Sequence, residues 1–115
     1  SDGNPATIGA PAWKPLLGTP NHPEYPSGHG CLTGAEAEVL AAFLGTNRIE
    51  LDLTSTAPNL LQPQRHYERV ADLTQEIMNA RVWGGIHFRD ATSKGVALGR
   101  KIAHWTLKRY FLAEN

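Results

Sequence analysis

Pro26-Ser27-Gly28-His29 stands directly before a run of helical periodicity, a position that suits an anion. The first N–H groups of a helix have no intrahelical acceptor, and they point outward at the positive end of the helix dipole. Ser27 adds a hydroxyl, Gly28 lets a ligand approach the main chain, and His29 exchanges a proton near neutral pH. The plainer reading of the same four residues is an N-cap serine followed by a solvated histidine.

Arg81 is the second candidate. It follows Ile77 by four residues and Thr74 by seven, so it shares their helix face, and arginine rarely enters a core unpaired. Its helix ends at Gly84-Gly85, which lets the guanidinium project into a site and offer forked donors to phosphate-like oxygens. Capping of carbonyls or a carboxylate partner would equally account for it. His87 lies between Ile86 and Phe88, a partly apolar setting. A nucleophile or a metal ligand needs a ring nitrogen free of a proton, and a satisfied structural histidine needs no such role. His22, Glu24 and His29 also offer donors for a divalent metal, although Pro23 and Pro26 constrain their convergence.

The order and spacing of these residues carry more than each alone. Pro26-Ser27-Gly28-His29 is followed, 52 residues after His29, by Arg81, with five residues between Arg81 and His87. This resembles the PSGH and SRxxxxxHxxxD motifs of the vanadium-dependent haloperoxidase and type 2 phosphatidic-acid phosphatase (acid phosphatase) superfamily. The surrounding His22-Pro23-Glu24-Tyr25 and Trp83-Gly84-Gly85-Ile86-His87-Phe88-Arg89 are more similar to the haloperoxidase branch, and the likeness covers about residues 20 to 105.

The resemblance implies vanadate as cofactor, or phosphate as substrate or analogue, with peroxide and halide as the reaction partners. His87 would bond to vanadium, or act as the nucleophile of a phosphatase, and His29 would be its acid–base partner. Ser27, the Gly28 N–H and Arg81 would donate to the remaining oxygens. Bound vanadate mimics the transition state of phosphoryl transfer, so one pocket can serve both chemistries. Two further readings stand beside haloperoxidase activity: a phosphomonoesterase working through a phosphohistidine on His87, and a helical interaction domain whose site has decayed.

The sequence departs from the family pattern in three places. Asn79-Ala80 precedes Arg81 where a serine is usual, and Ala91 stands where the aspartate is expected, with Asp90 one position early. Asp90 could orient His87 or cap the following helix, and the cap is the preferred expectation. The first family motif, KxxxxxxRP, has no match in the chain. Charge-assisted hydrogen bonds of ~1.5–3 kcal/mol each make the loss of its two cations worth roughly two to four decades of anion affinity. The chain by itself is therefore expected to be weakly active or inactive.

The positioning elements are read from periodicity. Six of the eight prolines fall in residues 1–26, which predicts an irregular segment, and residues 27–115 form the helical part of one domain. Leu32, Ala35, Val39, Leu40, Phe43 and Leu44 recur at helical spacing, and Gly45 is a C-cap. Residues 48–54 alternate as a short strand. A second helix is expected from about Arg65 to Val82, its stripe formed by Tyr67, Val70, Ala71, Thr74, Ile77 and Met78. Asp90, Thr92 and Ser93 offer N-caps for a third helix, in which Gly99 and Ala103 permit close approach.

The fold class is thus mainly α: a helical bundle fragment of about three main helices, an irregular proline-rich N-terminal segment and a short strand. Apolar faces left open by such a fragment are expected to be covered by the missing N-terminal part of the parent or by a second copy.

Composition narrows the function classes. The chain has 115 residues, 41% hydrophobic and 19% charged, with eleven basic side chains balancing eleven acidic ones. That balance offers no broad attraction to nucleic acid or an anionic membrane, so an anion site must be local. No apolar run is long enough to span a bilayer, which predicts a soluble chain of unknown compartment. Cys31 stands alone, so no internal disulfide framework is expected. The opening Ser1-Asp2-Gly3-Asn4-Pro5 is turn-rich and reads as an internal loop, the start of a fragment or a processed product.

Overall fold

The structure is a computed structural model that describes residues 3–58 and 60–110. Its elements run α1 (Gly28–Leu44), β1 (Arg48–Thr54), β2 (Gln64–Arg69), α2 (Val70–Trp83) and α3 (Arg89–Leu107). The fold is mainly α, as expected. The expectations that fall on Ser1, Asp2 and residues 111–115 lie outside the described residues.

Proline fixes φ and removes a donor, and the described residues before α1 accordingly form turns and bends only. Ser27 starts α1 as its N-cap. Gly45 ends it at φ 67°, donating its N–H to the Ala41 carbonyl, the left-handed cap that glycine adopts without a Cβ penalty. The face of α1 that packs is not the one its large apolar residues suggest. Gly30, Gly34 and Ala37 are buried, whereas Leu32, Val39 and Phe43 are exposed.

The reason is the close approach of α3. Its buried face is Gly95, Val96, Gly99 and Ala103 with Ala91 and Thr92, so small residues meet small residues. A Cβ at Gly99 would overlap the Cys31 carbonyl and lie 2.8 Å from the Ala35 nitrogen, while one at Gly95 would overlap the Ser27 carbonyl. Both obstacles are main chain, which cannot rotate aside. Gly99→Ala is expected to lower stability by about 3 kcal/mol through this overpacking, read as a reduced urea midpoint. A midpoint equal to the parent's would show that the helices do not approach so closely in solution.

The strand at residues 48–54 has a partner that periodicity did not reveal. β1 pairs antiparallel with β2, setting Leu51 opposite Tyr67 and Asp52 opposite His66. The second helix therefore starts at Val70, not near Arg65, and Tyr67 belongs to the hairpin. Tyr67 and Val70 are three residues apart, a spacing that suits a helical stripe. Here instead they bring a strand and the following helix onto one cluster with Ala37 and Ile49, flanked by Leu40, Leu51 and Leu73. Asp72 accepts the Arg69 N–H at 3.0 Å and fixes the start of α2.

The N-cap of α3 is also corrected. The helix begins at Arg89 after Phe88, which has no side-chain cap bond, and Thr92 and Ser93 turn their hydroxyls back to the Arg89 carbonyl. The helix ends at Leu107, so Tyr110 lies beyond it, tilted against Trp105 with centroids 5.8 Å apart. Leu98, Ile102 and Trp105 on α3 remain exposed, as do Leu32, Val39 and Phe43 on α1. Among the described residues no helix is long and apolar enough to cross a membrane.

Candidate functional site

The start of α1 is fixed from two sides. Ser27 is wholly buried, its N–H donates to the Ala91 carbonyl at 3.0 Å, and its hydroxyl oxygen accepts the Gly30 N–H at 3.1 Å. The hydroxyl hydrogen remains free to donate elsewhere. Among the described residues nothing lies within 4 Å of the place a Gly28 Cβ would occupy, so a ligand can reach the N–H groups of the first turn.

Arg81 and His87 are tied together by the turn that ends α2. The Arg81 carbonyl accepts the N–H groups of both Ile86, at 3.1 Å, and His87, at 3.2 Å. Gly85 makes this possible at φ 73°, a conformation that side chains with a Cβ rarely adopt. The proline-rich segment packs on the same turn. Leu17 donates its N–H to the Gly84 carbonyl at 3.2 Å, and a Cβ at Gly85 would come within 2.8 Å of Pro15 Cβ.

The His87 side chain has no exposed surface, and its Nδ1 lies 2.6 Å from the Glu24 carbonyl oxygen. A carbonyl only accepts, so Nδ1 carries the proton and Nε2 of the neutral ring keeps its lone pair. That Nε2 is buried with no hydrogen-bond partner among the described residues, as are Nε and Nη2 of Arg81. Native proteins pair nearly all buried polar atoms, so three orphans from two linked residues single out a candidate place for a polar ligand. Two unused donors and one lone pair are what a metal-centred or phosphorus-centred oxyanion requires. In this respect the residues present fit such a group.

The electrostatics place His29 in the same locality. Partial burial lowers its pKa from the usual 6.5, and the Arg81 guanidinium and the His22 and His87 rings beside it lower it further. Burial likewise draws Arg81 below the usual guanidinium value. His22 stacks on His87 with centroids 5.4 Å apart and stands 6.4 Å from His29, so it bridges the two imidazoles. A cavity of about 460 Å³ lined by His22, Tyr25, Gly28, His29 and Leu32 opens beside the helix start. A larger groove of about 710 Å³, bordered by Leu40, Leu51, Tyr67 and Ile77, contains none of these groups.

Asp90 takes neither role expected of it. It is exposed in the first turn of α3, while Nδ1 of His87 is occupied by the Glu24 carbonyl and the Phe88 N–H by Glu24 Oε1 at 2.8 Å. Glu24 and His22 are therefore the residues whose positions local motif reading missed. Their signal was adjacency to Pro26-Ser27-Gly28-His29, but a partner 63 residues away is invisible to spacing. Among the described residues no group of three or more His, Cys, Asp or Glu side chains is arranged to hold a metal ion. The divalent site from His22, Glu24 and His29 is thus not assembled, because His22 Nδ1 lies 3.0 Å from the Pro23 carbonyl and Glu24 turns to Phe88.

Comparison with known proteins bears on the same segments. The family model of the VCPO second helical-bundle domain matches residues 1–113. The chain is similar to a solved bacterial vanadium-dependent iodoperoxidase, with 32% identity and a TM-score of 0.78 over 90% of this chain and 25% of that one. It is also similar to an apo-type bacterial vanadium-dependent chloroperoxidase, with 25% identity and a TM-score of 0.66 over 84% of this chain and 24% of that one. The holo-type bacterial chloroperoxidase shares the fold at 24% identity and a TM-score of 0.68, over 85% of this chain and 23% of that one. The chain spans about a quarter of the length of these solved structures. No curated protein sequence matches it.

Proposed function

The chain belongs to the VCPO second helical-bundle domain family, in the haloperoxidase branch of its superfamily, and we propose that it supplies one wall of the vanadate site of a vanadium-dependent haloperoxidase. The observation that carries this reading is the set of buried polar atoms without partners among the described residues, Arg81 Nε and Nη2 with His87 Nε2. Vanadate, when bound, supplies the activation of peroxide that lets a halide be oxidised to a hypohalous-acid equivalent.

The protein's own residues have separable tasks in that reaction. His87 would hold vanadium through Nε2, the nitrogen left without a proton by the bond at Nδ1. Arg81, the Ser27 hydroxyl and the Gly28 N–H would donate to the oxygens, and fixed donors aimed at accumulating negative charge are the larger part of such catalysis. His29, whose pKa partial burial and the Arg81 guanidinium hold down, is available as a base to take a proton from peroxide. The shared geometry of vanadate and phosphate leaves a phosphohistidine on His87 as the reading that the same test must separate.

The test is an assay of the protein that carries this domain, with vanadate, peroxide and bromide or iodide, and separately with a chromogenic phosphate ester. Halogenation that depends on vanadate and is abolished in His87→Ala is the expected result. Ester hydrolysis that vanadate inhibits would assign phosphatase chemistry instead. Activity of either kind that survives His87→Ala and His29→Ala would sink the site and leave a helical interaction domain.

A further inference from the structure

Residues 20–26 approach His87 without help from secondary structure. Among the described residues, the hydrogen bonds that tie this segment to the rest of the protein are those made by Glu24. Its main-chain oxygen lies 2.6 Å from His87 Nδ1, and its carboxylate accepts the Phe88 N–H at 2.8 Å. The same carboxylate stands 3.8 Å from His87 Nδ1. One residue thus grips two successive residues of the opposite segment, through its main chain and its side chain.

Two points of attachment fix a direction where one does not. A carbonyl in an irregular loop is free to pivot about its single contact, and a pivoted carbonyl no longer selects which ring nitrogen bears the proton. Phe88 is the N-cap of α3, with no side-chain cap of its own. Its N–H is therefore a donor that the helix leaves open, and the carboxylate answers it with a charge-assisted bond.

We propose that the Glu24 carboxylate is a positioning residue for His87: by holding the Phe88 N–H it keeps the Glu24 carbonyl on Nδ1, which fixes the Nδ1–H tautomer and presents the bare Nε2 to the space beside Arg81. The inference deepens the proposed oxyanion site, on which only its affinity reading rests. The role belongs to the acceptor oxygen, so Glu24→Gln, whose amide oxygen still accepts, keeps it and Glu24→Ala loses it.

The test uses the chain itself and three readings: the ¹⁵N shifts of the His87 ring, hydrogen exchange at the Phe88 amide, and affinity for inorganic phosphate. In Glu24→Ala the ring is expected to become a mixture of tautomers, the Phe88 amide to exchange about tenfold faster or more, and phosphate to bind about fivefold more weakly. Glu24→Gln should stay within about twofold of the parent in all three. A folded Glu24→Ala with parental ring shifts and Phe88 exchange overturns the proposal, and so does an equal loss in Glu24→Gln. If Glu24→Ala does not fold, Glu24→Asp, shorter by one methylene, is read in its place, and parental values there overturn the proposal too. A parent chain that binds no phosphate counts against the oxyanion site alone. The ring and exchange readings need no ligand and still decide the role of Glu24.

Discussion

Arg81→Met is expected to move stability and anion affinity in opposite directions. Nε and Nη2 of Arg81 are buried without partners among the described residues, and burial lowers the pKa of the group. An uncompensated charge of this kind costs stability, and an unbranched apolar side chain of similar length removes the cost. The substitution should stabilise the free chain by about 1 kcal/mol, seen as a higher urea midpoint. The same substitution deletes two donors from the site. At ~1.5–3 kcal/mol for each charge-assisted bond, affinity for orthovanadate or phosphate should fall by about two orders of magnitude or more in calorimetric titration. Arg81→Lys keeps the charge but not the fork and should bind between the two. An arginine with a structural task would behave otherwise: its loss would destabilise the free chain and leave anion affinity unchanged. That pattern would remove Arg81 from the site.

What was legible in the sequence followed from local rules. Gly45 ends α1 because a left-handed C-cap needs glycine, and Gly84-Gly85 ends α2 for a related reason; both are decided within one turn. Ser27 as N-cap and the close approach at Gly99 were likewise readable, since each depends on residue type and helical spacing. What was not legible depended on partners far along the chain. The pairing of Leu51 with Tyr67 turns an apparent helix start into β2. The approach of α3 buries Gly30 and Gly34 of α1 and leaves Leu32 and Phe43 outside, against the usual rule that large apolar residues mark the packed face. In the candidate site, Arg81 and His87 could be named from the motif, but the group on His87 Nδ1 could not. The family pattern pointed to an acidic residue after the histidine, and Asp90 was the near match. The loop before α1 instead brings Glu24 to that nitrogen.

Anion binding should be linked to a proton on His29, and the sign follows from its surroundings. Partial burial, with the Arg81 guanidinium and the His22 and His87 rings beside it, holds the His29 pKa below 6.5 in the free fold. The unfolded chain therefore takes up the proton first as pH falls. The contribution of His29 to stability is full above 6.5 and is lost as pH drops from there through the folded pKa. An oxyanion among these groups reverses the local field, raises the His29 pKa and draws a proton in with it. Affinity should then strengthen as pH falls from the raised His29 pKa of the complex to the lowered one of the free fold, with a limiting slope of about tenfold per pH unit for one proton. Sulfate is the informative ligand, because it is tetrahedral and its own ionisation lies well outside this range, whereas phosphate and vanadate titrate nearby. His29→Gln should flatten the sulfate profile while leaving binding measurable, since Ser27, the Gly28 N–H and Arg81 remain. A sulfate affinity that rises equally with acid in the parent and in His29→Gln would transfer the proton to His22 or His87. It would also remove the support for His29 as the acid–base group of the site.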